Sequence, residues 1–415
     1  MAPLLAALAC GRSHHPNVML IVVDALRKDH LHTYGHPLPL SPAIDALGAD
    51  GVVFENHLAH ASQTIPSTLS LFLSRLPADH GFMPVSLDVP PTYFPPELLF
   101  LTEVLHDHGY ATAGFMANPL LGPDSGFEQG FDHFAYLPGR GDELTRAATE
   151  WLAGWSQRRD RPFFVYLHYM DVHQPYDPPE AFKRRFHVPE QGIRLGGNRH
   201  LVFADPVDLA YTRALYAAAV AYADEQAGGM IRELEALGVR QDTIVVVTAD
   251  HGEELGDHGG LGHGTSVYGE LVRVPMILSY PGHVESGRRV RQLTRHLDVA
   301  PTLLRLAGID PPAAFRGGSL FAPLDRVFVE MGPWVGVYTG DWKLVWNRDT
   351  GERTVFSTTD QLDQEPRSEA AVASRLAPMA ESYVAGEVRV QPQRPKAADW
   401  TSGERERLRA LGYAR

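Results

Sequence analysis

Three short segments, far apart in the chain, supply the residue types of a metal-assisted nucleophile. Asp24 follows the apolar run Asn17–Val23, Thr64 sits in Ala61-Ser62-Gln63-Thr64-Ile65-Pro66-Ser67-Thr68, and Asp250-His251 follow Thr243–Thr248. Two carboxylates and an imidazole suit a borderline divalent ion, Zn2+ or Mn2+. An all-oxygen set would turn the choice toward Ca2+ or Mg2+. With Thr64 Oγ1 as a fourth ligand, the cation would lower the proton affinity of the hydroxyl and activate it for attack. A helix is expected from about Ser67, where the chain runs into Leu69–Leu76. Its free N–H groups would face the same spot and favour a tetrahedral oxyanion. Taken singly, Thr64 reads as a helix cap and Asp250-His251 as a polar turn. Together, after like segments, they read as one site.

His173, in Tyr169-Met170-Asp171-Val172-His173-Gln174-Pro175-Tyr176, and His263, in Leu261-Gly262-His263-Gly264-Thr265, are expected to face the same cleft. Two imidazoles beside an anionic substrate can donate hydrogen bonds to its oxygens. Alternatively one protonates the leaving group, or both join Asp171 in holding a second ion, so one ion and two both stay open. His258 competes with His263, because both lie in Gly-rich turns. A basic insertion, Lys183-Arg184-Arg185 with Arg194 and Arg199, follows the His173 segment. It reads first as a solvated loop and second as a rim that receives an anionic substrate.

The elements that must hold these residues alternate along the chain. Residues 18–23 form a β-branched and apolar run typical of a strand buried on both faces of a parallel sheet. Tyr110–Met116, Pro162–His168 and 243–248 read the same way. Helices are expected at Ser41–Leu47 (Ser41 as cap, Pro42 in the first turn), at 98–108, at 142–155, and at 208–237 with an interruption at Gly228-Gly229. Strands alternating with helices give an open α/β sheet with helices on both faces. In such sheets ligands bind outside the carboxyl ends of the strands. Asp24, Asp171 with His173, and Asp250 with His251 each follow such an end. Beyond residue 312 the pattern changes to short strand-like pieces, Val327–Glu330, Val335–Tyr338, Trp342–Trp346 and Thr354–Phe356, and a helix at 368–385. These form a small α+β subdomain. Residues 386–400 read as a linker and Ser402–Gly412 as a final helix.

The 415 residues can bury a large core, and a formal net charge of −13 argues against a general nucleic-acid binder. No stretch approaches the length of a membrane-spanning helix. The one cysteine, Cys10, allows no disulfide within the chain and no Cys-rich metal site. Leu4-Leu5-Ala6-Ala7-Leu8-Ala9-Cys10-Gly11 resembles the end of a bacterial lipoprotein signal, although Ala7 stands where Leu is favoured and no basic stretch precedes it. This makes residues 1–15 a candidate signal, Cys10 a candidate lipid anchor, and an extracytoplasmic location (periplasmic or lipid-anchored) the expectation. A frayed apolar N-terminus is the alternative, and a cytoplasmic location stays open.

Pro16–Tyr34, Leu40–Phe54, Thr64–Gly81, Tyr166–Pro179, Thr248–Pro275 and His296–Thr302 together resemble the sulfatase family of the alkaline phosphatase superfamily, and Leu408–Tyr413 resembles the tail of many bacterial members. The resemblance implies an alkaline-phosphatase-like, mostly parallel sheet flanked by helices over residues 16–312. A small C-terminal subdomain over 313–390 and a tail with a terminal helix over 391–415 would follow. It further implies Asp24, Asp250 and His251 as metal ligands, Thr64 at the nucleophile position, His173 as a histidine for the substrate oxyanion, and His263 where many sulfatases place Lys. Three departures stand out. Thr64-Ile65-Pro66-Ser67-Thr68 occupies the place of a Cys/Ser-x-Pro-Ser-Arg motif matured to formylglycine, Ala25 replaces a second Asp, and His251 replaces a frequent Asn. A formylglycine hydrate expels sulfate with its second hydroxyl. Thr lacks one, so water must attack the covalent adduct at phosphorus or sulfur. In-line attack of that kind suits phosphoryl groups, so phosphoester hydrolysis is the first expectation. The alternatives are a sulfuric ester hydrolase, a phosphoethanolamine-type transferase (whose usual membrane anchor is not seen), and a silent binding homologue. The substrate expected is the anionic ester of a small molecule, a glycan or a lipid head group.

Overall fold

Alternate residues of the first strand feed two different cores. Val18, Leu20 and Val22 pack on one side of the sheet, while Met19, Ile21 and Val23 pack on the other. A strand points successive side chains to opposite faces, so a continuous apolar run means that both faces are covered. The computed structural model describes residues 15–82, 93–195, 199–200, 205–386 and 402–411. Cys10 with the signal-like segment up to residue 14, the side chain of Arg199, and the expected linker from residue 387 onward lie outside the described residues.

The strands are β1 (Asn17–Val23), β2 (Val52–Leu58), β3 (Ala111–Met116), β4 (His133–Tyr136), β5 (Phe163–Tyr169), β6 (Arg199–His200), β7 (Thr243–Thr248), β8 (Glu254–Leu255), β9 (Gly260–Gly262), β10 (Met276–Ser279) and β11 (Arg288–Arg295). Eight of them make one sheet in the order β11-β2-β10-β7-β1-β5-β3-β4. Pairing is parallel from β7 through β1, β5 and β3 to β4, and also between β2 and β11. Only β10 runs against its neighbours. The order places the ends of β7, β1, β5 and β3 side by side. A small antiparallel sheet, β6-β9-β8, lies apart from it.

Four further strands, β12 (Val327–Met331), β13 (Trp334–Tyr338), β14 (Trp342–Asn347) and β15 (Arg353–Ser357), form a meander. The helix Ala370–Ala385 covers one face of it, burying Leu376 and Ala380 against Val335, Val337, Leu344 and Val355. The other face packs Val327, Val329, Val345 and Phe356 onto Leu58, Val267, Leu271 and Val272 of the main unit. Lys343 is fully buried at this junction, where its Nζ donates to the Val267 carbonyl at 2.8 Å and to the Asp363 carboxylate.

Two helix details differ from the sequence reading. The long helix runs unbroken over Pro206–Ala236. Gly228 is not a break but a contact, because a Cβ there would lie 2.7 Å from the Cβ of Ala43 on the helix Pro42–Ala49. Ser41 does not cap that shorter helix with its side chain. Asp224 of the long helix does so instead, accepting from Ala43 N at 3.1 Å and Ile44 N at 2.8 Å. A carboxylate at a helix N-terminus satisfies donors the helix itself cannot. Long-range capping of this kind leaves no local signature.

Candidate active site

Asp24, Thr64, Asp250 and His251 meet at the carboxyl ends of β1 and β7, each essentially inaccessible to solvent. Thr64 is the first residue of the helix Thr64–Leu73, which therefore starts three residues before the expected Ser67. Ser67 lies in its first turn and donates its hydroxyl to the Asp250 carbonyl, with His296 Nδ1 3.1 Å from the Ser67 Oγ. These contacts tie the helix Thr64–Leu73 to the β7 end.

The two carboxylates are held so that each keeps one oxygen open. Asp24 Oδ2 accepts from Asn118 Nδ2 at 2.7 Å, from His168 at 3.0 Å, and from Thr64 Oγ1 at 3.5 Å. Tyr166 OH lies 2.6 Å from the other nitrogen of His168. Burial raises the phenol's pKa well above its ordinary value, so Tyr166 donates to Nδ1 and His168 gives its Nε2–H to Asp24. Asp250 Oδ1 accepts from Ala25 N at 3.3 Å and His251 N at 2.9 Å. Ala25 makes its contact from the left-handed region, φ 60°, a conformation a non-glycine residue keeps only where its surroundings impose it. Tyr216 fixes the turn by donating to the Ala25 carbonyl at 2.7 Å.

What remains is Asp24 Oδ1 and Asp250 Oδ2, buried and without a hydrogen-bond partner. Both lie 3.5 Å from His251 Nε2. The other nitrogen of His251 is 2.8 Å from the Gly252 carbonyl. A ring that donates Nδ1–H to a carbonyl presents its Nε2 lone pair outward, as metal-ligating histidines do. These three ligand atoms, within 4.8 Å of one another, fit a divalent cation. Thr64 Oγ1 stands 3.4 Å from the same Nε2.

The charges are strongly coupled. Burial alone would raise the Asp24 carboxyl, but His173, the hydrogen bond from His168, and His251 together hold it well below the usual carboxylate range. Burial and the neighbouring Asp24 push Asp250 upward. Burial opposes protonation of His251, yet Asp250 and Asp24 raise it.

His173 and His263 stand over this group. The rings of His251 and His263 are 4.4 Å apart, and those of His263 and His173 are 4.7 Å apart. Burial lowers His173 to about 4, against the pull of Asp24, and burial with the nearby His251 lowers His263 to about 3. Glu253, buried, lies 3.0 Å from His263 Nδ1. Burial pushes its carboxyl up to about 7, against His173 and His251.

Asp171 is not brought to the cluster. Its Oδ1 accepts from Gly141 N at 3.0 Å, and a Cβ on Gly141 would lie 2.4 Å from its Oδ2. The carboxylate is therefore turned toward the start of the helix Gly141–Ser156. The competitor His258 belongs to a second acidic cluster with Glu254 and Glu270. Its ring nitrogens lie 2.8 Å from Glu270 Oε1 and 3.0 Å from the Asp363 carbonyl, and it stacks on Tyr268 at 3.8 Å. It clamps the meander's flank rather than facing Thr64. In the basic insertion, Lys183 and Arg140 converge on Asp177 at 3.2 and 3.1 Å, and Arg194 donates to the Tyr176 carbonyl at 3.3 Å.

Sequence reasoning missed Asn118, His168, Ser67, His296 and Glu253. The strand-end rule that singled out Asp24 would also have pointed to Asn118, just beyond β3, and to His168 near the end of β5.

A hydroxyl at a helix start stands beside a buried pair of open carboxylate oxygens and an imidazole, a possible divalent-cation site at the carboxyl edge of an α/β sheet. Residues 16–309 match the sulfatase family model, and the chain belongs to that family. It is a hydrolase acting on ester bonds. Human arylsulfatase A is 29% identical over 385 residues, covering 77% of this chain and 70% of the relative. Among solved structures, BT4656 in complex with its substrate D-glucosamine-2-N,6-O-disulfate superposes with a TM-score of 0.75 at 18% identity, covering 92% of this chain and 100% of that one. The phosphonate monoester hydrolase of Agrobacterium radiobacter superposes with a TM-score of 0.72 at 21% identity, covering 89% and 95%.

Proposed function

We propose that the chain hydrolyses the sulfate ester of a small or glycan alcohol, with Thr64 Oγ1 as the nucleophile. The relatives matched in sequence carry sulfatase names, which moves the first choice from the phosphoester expected from Thr64 to a sulfate ester. The observation that carries the reading is Thr64 Oγ1 at 3.5 Å from Asp24 and 3.4 Å from His251, at the edge of two open carboxylate oxygens. A divalent cation held there by Asp24, Asp250 and His251 would acidify the hydroxyl and neutralise the ester oxygens. Asn118, 3.3 Å from Thr64 Oγ1, orients the hydroxyl. His173 and His263 contact the anion or the departing alcohol. The helix Thr64–Leu73 adds its N-terminal dipole to the oxyanion.

A second reading, hydrolysis of a phosphate or phosphonate monoester, is favoured by the threonine itself. It has no second hydroxyl with which to expel sulfate. The test is a panel of aryl sulfates, phosphates and phosphonates with metal-loaded protein and with Thr64→Ala. Release from the sulfate that Thr64→Ala abolishes is the expected result. Release only from the phosphorus esters selects the second reading, and undiminished release by Thr64→Ala refutes both. Product analysis with an added alcohol acceptor separates transfer from hydrolysis. Glycan-like and lipid-head-group esters extend the panel.

A further inference from the structure

The acidic cluster on the meander's flank carries more negative charge than its neighbours offset. Glu254, His258 and Glu270 each bring a ligand atom to within 4.8 Å of the others, and both carboxylates are buried. The cations nearby are committed elsewhere: Arg27 pairs with Asp29 and Asp257, and Lys343 with Asp363. Among the described residues, Glu270 meets His258, and no Lys or Arg forms an ion pair with either carboxylate. Two buried carboxylates this close need a positive charge between them.

The three side chains are held as ligands are. Glu254 Oε1 accepts from His258 N at 3.0 Å and from Gly260 N at 2.7 Å. Its Oε2 lies over Gly260, where a Cβ would come within 2.5 Å of it, so glycine leaves that oxygen its space. Glu270 Oε1 is 2.8 Å from His258 Nδ1, while its Oε2 is buried with no hydrogen-bond partner. Both oxygens belong to one carboxylate, so the orphan sits at the cluster too. His258 donates Nε2–H to the Asp363 carbonyl at 3.0 Å, which turns Nδ1 toward the two carboxylates. An imidazole tied to backbone through one nitrogen and ligating through the other is the usual arrangement at metal sites. The His258 side chain, 19% exposed, leaves an ion a way in.

We propose that Glu254, His258 and Glu270 form a second cation site, for a borderline divalent ion such as Zn2+. Mixed carboxylate and imidazole donors suit that class. The inference does not depend on the reaction proposed at Thr64. The ion's work is structural. It joins β8, which holds Glu254, to the short helix Gly269–Val272, which holds Glu270. Through His258 and the Asp363 carbonyl it also braces the C-terminal meander. The same helix accepts Gly252 N at the Leu271 carbonyl, 2.8 Å away, so the ion steadies the segment that follows His251.

The test counts ions on the full chain. Wild type stripped with chelator, loaded with Zn2+ and desalted should retain about two ions per chain by elemental analysis. Glu270→Gln and His258→Gln should each retain about one. Asp250→Asn, which neutralises a ligand of the other site, should keep the ion held by Glu270, and adding Glu270→Gln should remove it. In the Asp250→Asn background Zn2+ should also raise the urea midpoint, and Glu270→Gln should abolish that rise. Circular dichroism checks the fold, and His258→Gln, at a partly exposed position, serves if Glu270→Gln fails to fold. A Zn2+ count that neither Glu270→Gln nor His258→Gln lowers would overturn the proposal. So would a wild type whose bound Zn2+ is lost entirely in Asp250→Asn. Failure of the site beside Thr64 is read separately, as a Zn2+ count that Asp250→Asn leaves unchanged and Glu270→Gln lowers, and that result supports the second site.

Discussion

Asp250→Asn should stabilise the metal-free protein and destabilise the metal-loaded one. In the free state Asp24 and Asp250 offer ligand atoms within 4.8 Å of each other and of His251. Two unit charges 4.8 Å apart repel by about 3.5 kcal/mol at an effective dielectric of about 20. The Asp250 carboxyl already responds to burial and to Asp24 by moving up, so the relief on neutralisation is smaller than two full charges would give. Asn keeps an oxygen able to accept from Ala25 N and His251 N, so the backbone contacts at 3.3 and 2.9 Å survive. The lost attraction to a protonated His251, 3.5 Å away, offsets part of the gain. The gain is therefore largest at alkaline pH, where the ring is neutral. Metal reverses the sign. A cation present at about 100 times its Kd adds about 2.7 kcal/mol to the wild type, and a variant with one ligand charge missing forfeits most of that. Urea denaturation of both proteins, in chelator and in excess Zn2+ or Mn2+, gives the four free energies. Equal destabilisation in chelator and in metal would refute the open-oxygen reading. So would a wild type whose midpoint ignores the metal.

The second cluster sets a pH window. Burial would lower His258, but the hydrogen bond and charge of Glu270, with the Asp363 carbonyl, raise it from 6.5 to about 9. Its folded value exceeds the unfolded one, so its stabilisation is complete below about pH 6.5 and is lost as the pH rises through about 9. The loss amounts to about 3 kcal/mol at most. A stability profile across that window that His258→Gln fails to flatten would exclude the clamp. Lys343→Met strands the buried Asp363 and should cost about 3–5 kcal/mol, seen as a lower urea midpoint at unchanged metal content. Gly252→Ala would place a Cβ 1.9 Å from the Glu270 carbonyl, which forces the backbone beside His251 to move. A loss of about 1–3 kcal/mol together with weakened metal binding is expected, and wild-type metal affinity would contradict it.

The sheet was legible because its central strands are apolar on both faces. Val18–Val23, Ile244–Val247 and Phe163–Leu167 are fully or almost fully buried, and such runs announce themselves without tertiary information. Strands with weaker runs escaped notice. β2 reads Val-Val-Phe-Glu-Asn-His-Leu and β11 reads Arg-Arg-Val-Arg-Gln-Leu-Thr-Arg, so both carry polar residues through their middles. Their pairing lies toward the sheet's edge, where exposure relaxes the pattern. Thr64, Asp24, Asp250 and His251 were found because each follows or opens a recognisable element. Asp171 was grouped with His173 by proximity in sequence, yet its side chain serves the helix Gly141–Ser156. Two positions along a loop are enough to turn a side chain elsewhere.

Asn118 and His168 share a physical reason for having been missed, since each contacts another side chain, Asp24, from a neighbouring strand end that no local pattern announces. Strand order explains why they exist. β7, β1, β5 and β3 are consecutive neighbours, and adjacent strands lie about 4.8 Å apart. Asp24, just beyond β1, is thus within one spacing of Asp250 beyond β7 and of His168 on β5. Asn118 beyond β3 reaches it across two spacings through its side chain. A carboxylate flanked this way can be pinned at one oxygen, by His168 at 3.0 Å and Asn118 at 2.7 Å. The other oxygen stays open toward β7. Had Asp24 stood on an edge strand, only one side could have held it. The free oxygen on which the candidate metal site depends is therefore a product of the topology as much as of the residue.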